Sequence, residues 1–147
     1  MLSKIKKYRH GFFIAIYFVV YLILFGYLEQ RPVRAYHVVH TVFDDMIPFC
    51  EIFIIPYLLW FPYVILTVVY FLFRNKNKRE YFQLIFNLMM GMTVFLVVSY
   101  IYPNIQHLRP AVFPRNNIFT QLIAEIYRTD TPTNILPSIH VFNSLAV

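Results

Sequence analysis

The sequence predicts an all-α membrane protein, a polytopic helical bundle with three full spans and the start of a fourth. Of its 147 residues, 59% are hydrophobic and only 14% are charged, and the mean hydropathy is +0.57. This composition is too apolar for a soluble domain of that length. The apolar residues also form long uncharged blocks rather than one stripe at helical spacing, which separates membrane spans from amphipathic helices.

Three uncharged blocks are long enough to cross a bilayer as helices, because about 20 apolar residues span roughly 30 Å of hydrocarbon. They cover residues 11–28, 52–73 and 81–102. Helices are expected rather than barrel strands, since a strand crosses with only about 10 residues. A fourth apolar block begins near Pro137. Within the second block, Pro56 and Pro62 predict a kink or a split.

Two basic clusters, in residues 4–10 and 74–79, lie beside the apolar blocks. Lys and Arg in short loops favour the cytoplasmic side, so both clusters predict a cytoplasmic N-terminus. Residues 29–45 and 103–136 are then expected to face outward, in a protein integral to the plasma membrane. The net charge of +6 is explained by these two clusters, which set the orientation in the membrane. It does not indicate nucleic-acid binding, because no basic stripe is interleaved with exposed aromatic residues.

The candidate site lies in the polar stretch 103–136 and just beyond it. Arg109 suits a phosphate because its planar guanidinium forms bidentate, charge-assisted hydrogen bonds and stays ionised. Ser138 stands at a predicted helix start, where its hydroxyl, the neighbouring amides and the helix dipole favour an anion. His140 follows two residues later and can donate or accept a proton near neutral pH.

Each candidate also has a purely structural interpretation. Arg109 suits an interfacial anchor, and Ser138 after Pro137 suits a helix cap. His140 is harder to explain in this way, because an ionisable side chain just inside a span is costly. Asp44, Asp45 and Glu51 most simply cap and flank a helix, and the alternative is that a carboxylate at the outer boundary orients a catalytic histidine.

Other polar and aromatic residues receive structural assignments. Asp44 and Asp45, followed by Pro48, are typical of a helix start. Tyr57 and Trp60 are assigned to aromatic belts at the membrane boundary. Four histidines are expected to be solvated loop residues: His10, His37, His40 and His107.

Arg109-Pro110, followed at a distance by the stretch Pro137-Ser138-Ile139-His140-Val141, resembles the first two signatures of the type 2 phosphatidic acid phosphatase superfamily. That superfamily also includes the vanadium haloperoxidases. The approach over residues 130–141 is more similar to the branch that resembles inositol phosphorylceramide synthases. Similarity at the level of motifs covers roughly residues 44–147.

The resemblance implies a membrane enzyme that hydrolyses a lipid phosphate, or transfers its phosphoryl-bearing head group, on the outer face through a phosphohistidine. It implies no metal or other cofactor, membrane lipids as partners, and a parent fold of about six spans by fold-level analogy. Arg109 would bind phosphate, Ser138 would hydrogen-bond a phosphoryl oxygen, and His140 would protonate the leaving alcohol.

Two positions depart from the pattern of that superfamily. Tyr102 stands seven residues before Arg109, where the first signature has a lysine. Ile139 stands between Ser138 and His140, where a glycine is usual. Ile139 agrees with the phosphotransferase-like branch.

The third signature of the superfamily supplies the nucleophile, with Ser-Arg followed by a histidine and an aspartate. No Ser-Arg dipeptide occurs in this sequence, and only seven residues follow His140. A covalent mechanism needs the attacking imidazole together with its orienting carboxylate. We therefore expect a single membrane domain over residues 1–147, truncated at its C-terminus and without turnover. The alternative is a non-catalytic lipid-binding or assembly protein, in which Ser138 caps a helix and His140 packs internally.

Overall fold

The computed structural model describes residues 9–75 and 77–147, apart from the side chains of Arg9 and His10. Five α-helices occur in this part of the chain: α1 (Arg9–Gln30), α2 (Ile54–Phe73), α3 (Lys78–Ile101), α4 (Ile118–Thr129) and α5 (Ile139–Ala146). Two-residue strands are β1 (His37–Val38) and β2 (Asn104–Ile105), and 3-10 turns cover Asp44–Met46 and Glu51–Phe53. Outside the described residues lie the basic side chains on which the orientation argument partly rests: Lys4, Lys6, Lys7, Arg9 and Lys76.

Three helical stretches are long and apolar enough to cross a membrane. They are Gly11–Gln30, Glu51–Phe73 and Lys78–Ile101. At 1.5 Å per residue, each reaches about 30 Å or more, the thickness of the hydrocarbon core. Most large apolar side chains of α1 and α2 are exposed, whereas soluble proteins rarely expose continuous apolar surfaces of that extent. The three predicted spans are confirmed as apolar helices of membrane-spanning length, and they indicate a membrane protein.

The second apolar block forms one continuous helix preceded by a short turn. The 3-10 turn Glu51–Phe53 leads directly into α2. Pro56 lies in the first turn of α2, where a missing amide donor costs no intrahelical hydrogen bond, and Pro62 lies inside the helix. The helix continues through both prolines, so the predicted split is wrong, and the kink stays a prediction.

The helix start predicted at Asp44 and Asp45 is wrong, because these residues form an isolated 3-10 turn. The Asp44 carboxylate accepts a hydrogen bond from the backbone amide of Thr41 at 2.7 Å. The Asp45 carboxylate lies 2.9 Å from the His40 ring. Both carboxylates are thus bound to residues that precede the turn, and neither caps α2.

Helix α3 occupies the centre of the described helices and packs against α1, α2 and α5. Its buried positions recur every three or four residues, the spacing that aligns side chains on a helix face. A polar link joins it to α1, where the Tyr17 hydroxyl donates to the Met89 carbonyl at 2.8 Å. Helix α5 has eight residues, and its assignment as the start of a fourth span stays a prediction.

Helices α3 and α5 approach each other closely at Gly91. A Cβ atom built on Gly91 would lie 2.1 Å from two ring atoms of Phe142. Replacing Gly91 with alanine should therefore displace α5, with an overpacking cost of about 1–3 kcal/mol. Thermal unfolding in detergent should show a lower Tm. Gly26→Ala is the matched control, because nothing lies within 4 Å of its added Cβ, and an unchanged Tm for Gly91→Ala would contradict this packing.

Three loop segments converge at one end of the helices. Strand β1 pairs in parallel with β2, with His37 opposite Asn104. Ile105 forms an antiparallel bridge with Thr133, and the Gln106 amide donates to the Pro132 carbonyl at 3.0 Å. These contacts tie the segments that follow α1 and α3 to the segment that precedes α5. A cavity opens among these segments, and we call this end the cavity end of the protein.

Candidate functional site

A cavity of about 380 Å³ opens at the cavity end. It is lined by the C-terminal parts of α1 and α3, the N-terminal part of α2, the end of α4 and the start of α5. Arg109, Ser138 and His140 all line it. The structure therefore brings together the three candidate residues, which the sequence separates by up to 31 positions. Their chemical roles stay predictions.

Ser138 occupies the N-cap position of α5. Its side-chain oxygen accepts a hydrogen bond from the Val141 amide at 3.3 Å. Ser138 is therefore a helix cap, which confirms the structural interpretation made from the sequence. It also lines the cavity, where the positive end of the α5 dipole favours an anion, so the two interpretations are compatible.

His140 lies in an aromatic enclosure formed by α2. Its ring centroid is 4.3 Å from that of Trp60, 5.1 Å from that of Tyr57 and 6.3 Å from that of Phe61. The Trp60 indole donates to the Ser144 hydroxyl at 3.1 Å, and that hydroxyl donates to the His140 carbonyl at 2.7 Å. Tyr57 and Trp60, assigned from the sequence to aromatic belts, here hold the helix and the ring of His140.

The Nε2 atom of His140 is buried and has no hydrogen-bond partner among residues 9–75 and 77–147. A buried polar atom without a partner costs free energy comparable to a lost hydrogen bond. His140 also lines the cavity. That cost makes His140 the candidate residue whose burial is least explained by packing alone.

Arg109 is held by the C-terminal end of α4. Its guanidinium donates to the carbonyl of Asp130 at 2.7 Å and to that of Tyr127 at 3.4 Å. Its Cζ atom lies 4.2 Å from the centre of the Tyr127 ring. A cation suits this position, since the last turn of a helix carries partial negative charge. Arg109 is thus fixed in the cavity wall and is not a free interfacial anchor.

Two carboxylates line the cavity beside that guanidinium. Asp130 lies 3.4 Å from Arg109, and Glu29 accepts hydrogen bonds from Thr131 and Asn134. Burial raises the pKa of Asp130, the nearby charge of Glu29 raises it further, and Arg109 lowers it. Because like charges oppose an incoming anion, a phosphate would have to displace the Asp130 carboxylate from Arg109 or bind when Asp130 is protonated.

Asn104 holds the loop that leads into Ser138. Its fully buried side chain donates to the carbonyls of Tyr102 at 3.0 Å and Leu136 at 2.9 Å, and accepts from the Leu136 amide at 3.0 Å. The backbone carbonyl of Asn104 accepts a hydrogen bond from the backbone amide of Asn134. Asn134 itself has a left-handed backbone conformation, with φ of 54°. The sequence analysis missed Asn104, because an asparagine after a proline looks like an ordinary loop residue.

Glu51 does not orient a histidine. Its buried carboxylate accepts hydrogen bonds from Arg115 at 3.1 Å and Asn117 at 3.0 Å. Asn117 also caps α4 through a reciprocal pair of hydrogen bonds with Thr120. Glu51 therefore joins the start of α2 to the start of α4, and the orienting role offered for it is wrong.

Three of the histidines expected in loops, His37, His40 and His107, lie outside the cavity lining, and the side chain of His10 lies outside the described part of the structure. His40 pairs with Asp45, and the ring of His37 stacks on Tyr102 at 4.0 Å between centroids. His107 is exposed. Tyr102, at the position of the superfamily's lysine, thus contacts a histidine and contributes no cation.

Comparisons with protein-family models, with curated proteins and with solved structures give no match to this chain. The function is therefore argued from the cavity and the sequence motifs.

The raised pKa of Asp130 predicts a pH-dependent effect on stability. A carboxyl with a raised folded-state pKa favours folding most at low pH, and this contribution is lost as pH rises through the folded pKa. Asp130→Asn should therefore stabilise the protein relative to wild type increasingly as pH rises above the ordinary value of 3.8. The expected gain is below about 1 kcal/mol, because the carboxylate is partly solvated.

Thermal unfolding of both proteins between pH 4 and pH 8 measures this difference. Glu125→Gln is the matched control, because Glu125 pairs with Arg128 on the exposed surface of α4. If the Tm of Asp130→Asn minus that of wild type falls as pH rises, the raised pKa of Asp130 is contradicted.

Proposed function

We propose that this chain provides the phosphate-binding and proton-donating part of a membrane lipid-phosphate phosphatase or lipid phosphotransferase. The observation that carries the proposal is the convergence of Arg109, Ser138 and His140 on one cavity. A cation and a helix N-terminus stabilise the charge of a phosphoryl group, and an imidazole can protonate its leaving group. The resemblance to type 2 phosphatidic acid phosphatases names the same three residues.

In this proposal, Arg109 and the start of α5 bind the nonbridging phosphoryl oxygens. His140, protonated at Nε2, gives its proton to the alcohol oxygen as the bond between phosphorus and that oxygen breaks. A nucleophilic histidine takes the phosphoryl group, and water or a second alcohol then releases it. No third signature occurs in the 147-residue sequence, so these residues alone are expected to bind substrate without turnover.

A lipid suits the cavity because its lining is both polar and apolar. Phe25 and Phe95 come from helices of membrane-spanning length. Their rings lie 6.0 Å apart between centroids. A phosphorylated head group would meet Arg109 and His140, and acyl chains would remain along the apolar helices. The acceptor, whether water or another alcohol, is left open.

The alternative is a non-catalytic lipid-binding or assembly protein. It is favoured by the internal bonding of Arg109, whose guanidinium is already bound by Asp130 and Tyr127. In that case Ser138 serves only as a helix cap. Such a protein would bind lipids without requiring a phosphate.

Isothermal titration of the 147-residue protein in detergent distinguishes the two functions. Dioctanoyl phosphatidic acid is the probe, and dioctanoylglycerol is the matched lipid without phosphate. We expect binding of the first, competition by inorganic vanadate, and no measurable binding of the second. Equal affinity for both lipids would contradict a phosphate site and support the alternative.

We also propose that the cavity end faces the outside of the plasma membrane. Arg74, Lys78 and Arg79 lie at the opposite end of α2 and α3 and favour the cytoplasmic side. Single cysteines at positions 116 and 79, in a Cys50→Ser background, test this with an impermeant thiol reagent on intact cells. Position 116 should react and position 79 should not. The opposite labelling would overturn the orientation.

A further inference from the structure

The segment between β1 and α2 carries a group of exposed apolar side chains outside the membrane-spanning helices. Val42 is 77% exposed, Phe43 74%, Met46 73% and Ile47 70%. Val42 and Phe43 precede the 3-10 turn Asp44–Met46, Met46 is its last residue, and Ile47 follows it. We call these four residues the apolar turn.

The polar residues of the same turn are bound elsewhere. Asp44 accepts hydrogen bonds from the amide and hydroxyl of Thr41, and Asp45 pairs with His40. These contacts fix the turn in a conformation in which its apolar side chains, rather than its carboxylates, lack partners among the described residues. Four such side chains side by side in water are unfavourable, at about 25 cal/mol for each Å² of exposed apolar surface.

The position of the apolar turn relative to the membrane is limited at both ends. Downstream, the span Glu51–Phe73 begins four residues after Ile47, a distance of at most about 14 Å for an extended chain. Upstream, His37–Val38 pairs with Asn104–Ile105, just beyond the end of α3. The turn is thus tethered between two ends of membrane-spanning helices.

The exposed apolar surface of the turn is continued by α2. Ile52 and Phe53, in the 3-10 turn before that helix, are 56% and 69% exposed. Ile55, Leu58 and Leu59 follow as exposed side chains of the span. Exposed apolar side chains that lead along the chain into a helix of membrane-spanning length are best covered by the same lipid.

We infer that the apolar turn inserts into the bilayer beside α2, at the boundary between head groups and acyl chains. Short apolar segments bind membranes in this way through the burial of apolar surface. Phe43 and Ile47 would anchor the loop that leads from the β1–β2 pairing to α2. This inference requires only the membrane-spanning helices and is independent of the proposed function.

Site-directed spin labelling of the full 147-residue protein in phosphatidylcholine vesicles tests the inference. Single cysteines at positions 42, 43, 46 and 47, in a Cys50→Ser background, carry a nitroxide. Its collision rates with oxygen, which concentrates in lipid, and with a water-soluble nickel chelate are compared. Position 65, exposed in the middle of α2, is the lipid control, and position 116, exposed in the loop before α4, is the aqueous control.

Labels on the apolar turn are expected to collide more with oxygen than with the chelate, as at position 65. Chelate-dominated collisions at positions 42, 43, 46 and 47 would overturn the inference. Immobilised labels that are protected from both reagents and broadened by neighbouring spins would also overturn it, in favour of contact between two copies of the chain.

Discussion

Replacing His140 with alanine should lower kcat for lipid-phosphate hydrolysis by about 100- to 10,000-fold, the contribution typical of general acid catalysis. The measurement uses a longer chain in which this sequence is followed by the Ser-Arg, histidine and aspartate signature. Without His140 the alcohol must leave as an alkoxide. Because the acid acts only in the transition state, KM should change much less than kcat.

His107→Ala is the control for this experiment, since His107 is exposed and lies outside the cavity lining. Its kcat should match that of the unsubstituted enzyme. Residues 1–147 alone should release no phosphate. Phosphate release by residues 1–147 that is vanadate-sensitive and depends on His140 would show that the nucleophile is already present. Alanine substitutions of His37, His40 and His107 would then identify it.

Replacing Arg109 with alanine should weaken the binding of dioctanoyl phosphatidic acid by about 10- to 150-fold. A hydrogen bond to a charged group contributes about 1.5–3 kcal/mol, and each 1.4 kcal/mol is a tenfold change in Kd. Arg109→Lys should recover only part of the affinity, because lysine keeps the charge and loses the planar pair of donors. Titration calorimetry measures the three affinities.

Arg128→Ala is the matched control, because Arg128 is exposed on α4 and pairs only with Glu125 among the described residues. It should bind the lipid with unchanged affinity. Arg109 also holds the end of α4, so the Tm of each variant is measured in parallel. If a folded Arg109→Ala protein binds dioctanoyl phosphatidic acid with unchanged affinity, Arg109 has only a structural role. That result would favour the non-catalytic alternative.

The helices were predictable because membrane spans depend on one strong property. An uncharged block of about 20 apolar residues has few alternatives to a helix in hydrocarbon, where the backbone must bond to itself. The predicted spans therefore match the helices to within a few residues. Their exact starts depend on local bonding, and α2 begins at Ile54, directly after the 3-10 turn Glu51–Phe53.

The site was predictable only as a set of residue types. Phosphate chemistry favours Arg109, Ser138 and His140, and the cavity contains all three. The residues that hold them carry no such chemical signal. Trp60 reads as a boundary aromatic, and Asn104 as a loop residue, until their partners Ser144 and Leu136 are brought close by folding.

The charge of the cavity was also hidden from the sequence. Glu29 lies at the end of the first span and Asp130 at the end of α4, a hundred residues away. Each looks like an ordinary boundary or loop carboxylate when considered alone. Only the fold brings both into the lining of the cavity that Arg109 also lines, and this makes the protonation of Asp130 relevant to anion binding.

The central claim is that one phosphate is bound by Arg109, Ser138 and the unpaired Nε2 of His140. Nitrogen-15 NMR of histidine-labelled protein tests it directly, with the His140 signals assigned by their loss in His140→Gln. Dioctanoyl phosphatidic acid should shift the Nε2 resonance through a new hydrogen bond, and dioctanoylglycerol should not. An Nε2 resonance that stays unchanged at saturating, calorimetrically verified phosphatidic acid would contradict the claim.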